Sequence, residues 1–261
     1  MTNSRLPSPN RMALLMRNEI ALNTKTIATV IGAIFGLLLL INVASVGSSG
    51  RWDFHLVFFP LVLLIGGHVI TSMSFRELHD KQKGYTFLTL PASQGEKYLS
   101  KLLITSIGYT VATVIIYLVF SLLAAGITEL FFNRSHGIFN PFHHLMWRTI
   151  GIYIATHSVT FFSAVFFKRL HLLNEILWLN ILGIGLGIIA VLLTKLVFWS
   201  WFPGFFVSMN FDHINIVDPA KQTAFMSFFQ GLLRFTEILF YYIAPVFFWI
   251  TGYFRLRETE V

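Results

Sequence analysis

Three residues within the apolar runs stand out as intramembrane candidates: His68, His157 and Glu237. A group able to carry charge is costly in hydrocarbon, so each is a candidate for substrate contact or for passing on a proton. The simpler account of each histidine is a neutral ring hydrogen-bonded to a neighbouring helix. A proton-coupled path calls for more buried carboxylates, and only Glu237 qualifies. In one loop, His136, His143 and His144 offer imidazole nitrogens to a metal, but no carboxylate accompanies them there, and loop histidines of this kind are usually solvated. Cysteine is absent, which removes disulfides and thiolate metal sites. The patterns G-x-x-x-x-G-K-[ST], H-E-x-x-H and G-x-S-x-G are absent too. No catalytic residue, cofactor site or metal site is expected in this chain, and an enzyme would need an unrecognised constellation inside the membrane.

The densest charge lies in residues 76–101, which hold eight of the chain's 31 charged residues: Arg76, Glu77, Asp80, Lys81, Lys83, Glu96, Lys97 and Lys101. Runs long enough to cross a bilayer flank this island, so it must lie in water. Residues from about 80 to 90 can form a short helix parallel to the membrane, with Pro91 suited to the break after it. Ser93 then offers an N-cap with Glu96 three residues on, a capping box that opens the next helix. Two helices meeting at such an elbow can transmit a push.

The elements that position these groups follow from composition. Hydrophobic residues make up 55% of the 261, charged residues 12%, and mean hydropathy is +0.69. Soluble domains carry about 25% charge, so the expected class is an all-α integral membrane protein. The apolar runs do not alternate as the strands of a membrane barrel would. Six spans are expected, at about 26–46, 55–75, 102–127, 147–167, 176–197 and 235–254, in a single transmembrane domain. Pro7 and Pro9 stop an early helix, and Asn10 is a plausible N-cap for an interfacial helix over 11–22, with an ordinary lead-in to the first span as the plainer alternative. Residues 223–230 are too short to span and fit a re-entrant or surface helix. Gly32 and Gly36 form a G-x-x-x-G pair on the first span.

Charge placement orients the chain. With six spans, 13 basic residues fall on the face that carries both termini and residues 76–101, against six on the other. The excess puts that face in the cytoplasm. It also accounts for the net charge of +7 without any nucleic-acid partner. The 28 phenylalanines, many in adjacent pairs, read as lipid-facing and packing bulk before they read as an apolar path.

Several residues of the charged island carry a likeness. Phe75-Arg76-Glu77-Leu78-His79-Asp80 closes the second span. Lys83-Gly84-Tyr85 and Phe87-Leu88-Thr89-Leu90-Pro91-Ala92-Ser93 follow, and Glu96-Lys97-Tyr98-Leu99-Ser100-Lys101 leads into the third. This order resembles the cytoplasmic loop between the second and third spans of permease subunits of ABC transporters, type-2 exporter superfamily. The shared pattern is an acidic residue after the second span, a glycine, a Leu-Pro-small segment and a lysine opening the next span. It covers about a tenth of the chain; six spans, the interfacial helix and an extended outer segment before the last span match as topology.

The resemblance implies a coupling helix docking on a separate ABC-type ATPase subunit that binds the ATP. Asp80, Lys81, Lys83, Gly84, Tyr85, Phe87 and Leu88 would form the docking face, with Tyr85, Phe87 and Leu88 as apolar anchors. Pro91, Ser93 and Glu96 would form the elbow. A second permease chain, identical or a sister, would complete a dimer in the cell membrane. Other readings stay open: an ion- or proton-coupled secondary transporter using His68, His157 and Glu237, and an intramembrane assembly factor. The substrate is not written in these residues.

Overall fold

The computed structural model describes residues 8–45, 54–79, 92–133, 137–166 and 219–259, and positions 181, 184, 185, 187–189, 192, 193 and 196 between the last two segments. Every regular element among them is helical. Among the described residues five helices are long and apolar enough to cross a membrane, so the chain is a multi-pass helical membrane protein. Of the six expected spans, the one at 176–197 falls mostly outside the described residues, and its described positions are helical.

Helix α1 runs unbroken over Pro9–Ser45. The separate interfacial helix expected at 11–22 is instead the first part of this rod. The polar stretch at its join does not break it, because the side chains bond back to their own helix: Asn23 Nδ2 to Glu19 O at 2.9 Å, Thr24 Oγ1 to Ile20 O at 2.9 Å and Thr29 Oγ1 to Lys25 O at 2.9 Å. Nor does the cap fall at Asn10. Ser8 precedes the first turn, its carbonyl accepting from Met12 N at 3.1 Å, and Pro9 occupies the first helical position, where a missing N–H costs nothing.

Helix α2 covers Phe54–Met73 and contains a π turn at Val62–Gly66 just after Pro60. A 3-10 turn, Arg76–His79, follows. Helix α3, Gln94–Phe132, begins well before the expected 102 and slips into a π turn at Ile104–Gly108. It ends on Asn133 in the left-handed conformation (φ 49°), a geometry that asparagine tolerates. Helix α4 is His144–Phe166. Helix α5 runs from Pro219 through Ile238, a π turn at Leu239–Ile243 and on to Thr259. The surface helix expected at 223–230 is therefore part of the last span's own helix. The π turn of α5 has a local cause. Pro245 cannot donate to the carbonyl of Tyr241 four residues back, which lies inside the turn.

Helix α4 is the centre of the bundle, with α2 and α5 packed along it, while α1 lies against α3. Two apolar clusters hold the helices together. One, at the end away from the elbow, joins Leu38, Phe54, Phe59, Leu63, Tyr117, Phe120, Phe139, Met146 and Tyr153. The other gathers Phe75, Tyr98, Phe161, Ala164, Val165 and Leu256 at the elbow end. On α4 the residue midway between Tyr153 of the first and Phe161 of the second is His157, so a polar layer separates the two.

Candidate functional site

At the start of α3 the capping box is present. Ser93, extended at φ −68° and ψ 154°, accepts from Glu96 N at 3.2 Å, and Ser93 N donates to Glu96 Oε2 at 2.8 Å. The same carboxylate reaches a second helix. Ser8 N donates to Glu96 Oε1 at 2.7 Å, and the Arg11 guanidinium meets that oxygen at 3.0 Å through Nε and 2.8 Å through Nη2. One side chain thus serves the N-terminal ends of α1 and α3, where the aligned peptide dipoles favour an anion at both. Glu96 is fully covered, sealed by its own partners rather than deep in the bundle. It lies ahead of the apolar stretch that begins near Leu102. Burial alone would raise its carboxyl, but the hydrogen bonds from Ser8, Ser93 and Arg11 outweigh this and hold it down at about 2.

A second ion pair repeats the link two turns on. Lys101 Nζ lies 2.8 Å from Glu19 Oε1 and 5.7 Å from the centre of the Phe75 ring. On the opposite side of the elbow, Tyr98 enters α5. Its hydroxyl donates to Trp249 O at 2.6 Å, and it fits only because residue 252 is glycine: a Cβ there would come within 2.7 Å of the hydroxyl oxygen. The start of α3 is therefore fixed to α1 by two ion pairs and to α5 by one buried tyrosine. Pro91 and the residues expected to dock, Asp80, Lys81, Lys83, Gly84, Tyr85, Phe87 and Leu88, lie outside the described residues.

The polar layer is built around Tyr153 and His157, one turn apart on α4 and both fully buried. Tyr153 donates its hydroxyl to Thr105 O at 2.5 Å, inside the π turn of α3. His157 Nε2 lies 2.9 Å from Thr105 Oγ1. The threonine hydroxyl already donates to Lys101 O at 2.8 Å, so it accepts here and the imidazole carries its proton on Nε2. Among the described residues Nδ1 of His157 has no partner, and the ring lies between those of Tyr153 and Phe161, 5.5 Å from each.

His68, on α2, also approaches Tyr153, at a ring distance of 6.0 Å, and its Nδ1 donates to Leu64 O at 2.6 Å. Tyr109 donates to Val62 O at 2.8 Å, within the π turn of α2. Gly66 and Gly67 make room for both tyrosines. A Cβ on Gly66 would stand 2.5 Å from the Tyr109 hydroxyl, and one on Gly67 would stand 2.2 Å from the Tyr153 ring. The π turn of α5 meets the same stretch of α4, with Tyr241 packed where a Cβ on Gly151 would be 3.3 Å away.

The structure thus brings His68 and His157 to one tyrosine. Glu237 is exposed on α5, one turn before Tyr241, and takes no part in the bonds that hold Tyr153 and His157. Among the loop histidines, the rings of His143 and His144 lie 4.6 Å apart, His136 is outside the described residues, and no group of three metal-ligating side chains occurs among those described. A histidine that spacing did not single out organises the far end of the bundle. His55 Nε2 donates to Gly137 O at 2.7 Å and Nδ1 lies 3.3 Å from the Tyr117 hydroxyl, tying the loop after α3 to α2.

No family model matches the chain, and neither a curated protein nor a solved structure does, so its function is read from these residues alone.

Proposed function

We propose that the chain is the membrane-spanning permease subunit of an ATP-driven ABC exporter, driven through residues 76–101 by a separate ATPase subunit. The observation that carries this reading is the braced elbow. Ser93 and Glu96 make a rigid joint directly after the docking segment, and that joint is fastened to α1 through Arg11 and Glu19 and to α5 through Tyr98. A displacement of the segment before Ser93 would reach three helices at once, which a passive loop has no need to do. ATP is bound and hydrolysed on the partner, and this chain works beside a second permease chain in the cell membrane with both termini cytoplasmic. Paired substitution of Tyr85→Asp and Leu88→Asp puts two charges among the anchors. It is expected to abolish co-purification of ATPase activity with the tagged chain while membrane insertion is retained. Undiminished co-purification would remove the docking assignment.

One observation favours the secondary-transporter reading: the approach of His68 and His157 to Tyr153 within the polar layer. Glu237 stands apart from that layer, which leaves a relay of two histidines without a carboxylate. Uptake into proteoliposomes containing this chain alone, driven by a proton gradient, would favour it over the exporter.

A further inference from the structure

The three π turns among the described residues lie around one stretch of α4, and two of them are held open by a tyrosine from the next helix. A π turn is an α-helix with one residue too many in a turn; its ladder slips by one place, and the loosened carbonyls need other donors. In α3, the Thr105 carbonyl takes the hydroxyl of Tyr153, and His157 holds the side chain of the same threonine. In α2, the Val62 carbonyl takes the hydroxyl of Tyr109, and the Leu64 carbonyl takes Nδ1 of His68.

The two latches are in series. Tyr109 is the first residue after the π turn of α3, so it sits where it does only while that turn keeps its extra residue. Closing the turn to ordinary α-helix would rotate Tyr109 by about 100°, one residue's share of a turn, and withdraw its hydroxyl from Val62.

We infer that these latches form a two-position register joint running from α4 through α3 to α2. In the latched position both π turns are open. Release of Tyr153 lets the turn in α3 close, which withdraws Tyr109 and frees the turn in α2 to follow. The part of α3 on the elbow side, Gln94–Leu103, is fixed by Glu96, Tyr98 and Lys101. Rotation is therefore taken up beyond the turn, in Tyr109–Phe132. The joint is a property of the bundle and needs no ATPase for its demonstration, so its failure and the failure of the docking assignment are separate results.

Because the chain has no cysteine, pairs of spin labels can be placed directly. Val57→Cys with Met73→Cys brackets the turn in α2, and Leu99→Cys with Val111→Cys brackets that in α3; all four positions are exposed. The full chain in lipid nanodiscs is compared with Tyr109→Phe and Tyr153→Phe, which keep the rings and remove only the hydroxyls.

The expected result is directional. Tyr153→Phe gives a second, displaced distance maximum in both pairs, whereas Tyr109→Phe gives one in the α2 pair alone. Unchanged distances in both variants overturn the joint. Broadening without a displaced maximum overturns it as well, because that marks fraying and not a second register. Each variant's monodispersity and helical circular dichroism are checked first, and a variant that fails is replaced by the leucine substitution at the same position, Tyr153→Leu or Tyr109→Leu, which removes the same hydroxyl and carries the same expectation.

Discussion

Removing the carboxylate charge of Glu96 tests the elbow most directly. Glu96→Gln keeps the length of the side chain but leaves one acceptor oxygen where there were two. Oε2 now serves Ser93 N, while Oε1 serves Ser8 N and Arg11. Whichever way the amide turns, its NH2 faces a backbone N–H. Losing a cap of this kind costs about 1 kcal/mol. The Arg11 pair is one-third exposed on the arginine side and adds little more than a surface pair, about 0.5 kcal/mol. Together with the facing of two donors, the sum is about 2 kcal/mol for detachment of the first turns of α1.

At 1.4 kcal/mol per tenfold, amide exchange in residues 8–17 should speed up by roughly 30-fold, read by hydrogen exchange of the chain in nanodiscs. Exchange in α4, which shares no bond with Glu96, should not change. The pH dependence has a fixed sign. The folded carboxyl is held at about 2, below the 4.5 of a free glutamate, so the attachment is at full strength above about 4.5 and is lost as the pH falls toward 2. The Gln variant should lack that step. Equal exchange in the two proteins at neutral pH, or a loss spread evenly over the bundle, would refute the idea that one side chain holds both helix ends.

Two further predictions concern glycines. Gly252→Ala places a methyl 2.7 Å from the Tyr98 hydroxyl oxygen and should destabilise by about 1–3 kcal/mol, seen as a lower melting temperature of the purified chain. In a Tyr98→Phe background, where that oxygen is missing, the same substitution should cost markedly less. Gly67→Ala, driven into the Tyr153 ring at 2.2 Å, should be more damaging than Gly36→Ala, where nothing lies within 4 Å; the latter should be neutral or gain up to about 1 kcal/mol from helix propensity.

What the chain order reveals depends on how far apart the partners are. Ser93 and Glu96 are three residues apart, and their pairing follows from local geometry alone. Arg11 and Glu19 lie more than eighty positions from Glu96 and Lys101, and nothing in their surroundings announces the match. At 23–26 composition leaves a separate interfacial helix and a plain lead-in to the first span both open, and it is threonine and asparagine returning their hydrogen bonds to the same helix that go with continuity. At 223–230 shortness alone suggests a separate surface helix, yet the chain stays helical through the exposed arginine at 234 into the last span. The π turns have no residue signature of their own. Pro245 hints at the one in α5, whereas that in α3 contains no proline at all. His68 and His157 stand out by type, but their meeting at Tyr153 needs the packing of α2 on α4.

Helix α1 has a mechanical consequence. A rod of 37 residues is about 55 Å long, against a hydrocarbon layer of about 30 Å. About 25 Å must project beyond the apolar layer. Between residues 21 and 30 every side chain of the rod is exposed, while residues 8, 11 and 19 nearer its start are fastened to α3. Such a rod is a lever with its load at one end. A change of about 10° in its tilt moves a point 25 Å out by roughly 4 Å, more than the length of a hydrogen bond. Where a change in bilayer thickness alters the tilt of this long span, it is thereby a mechanical input to the elbow.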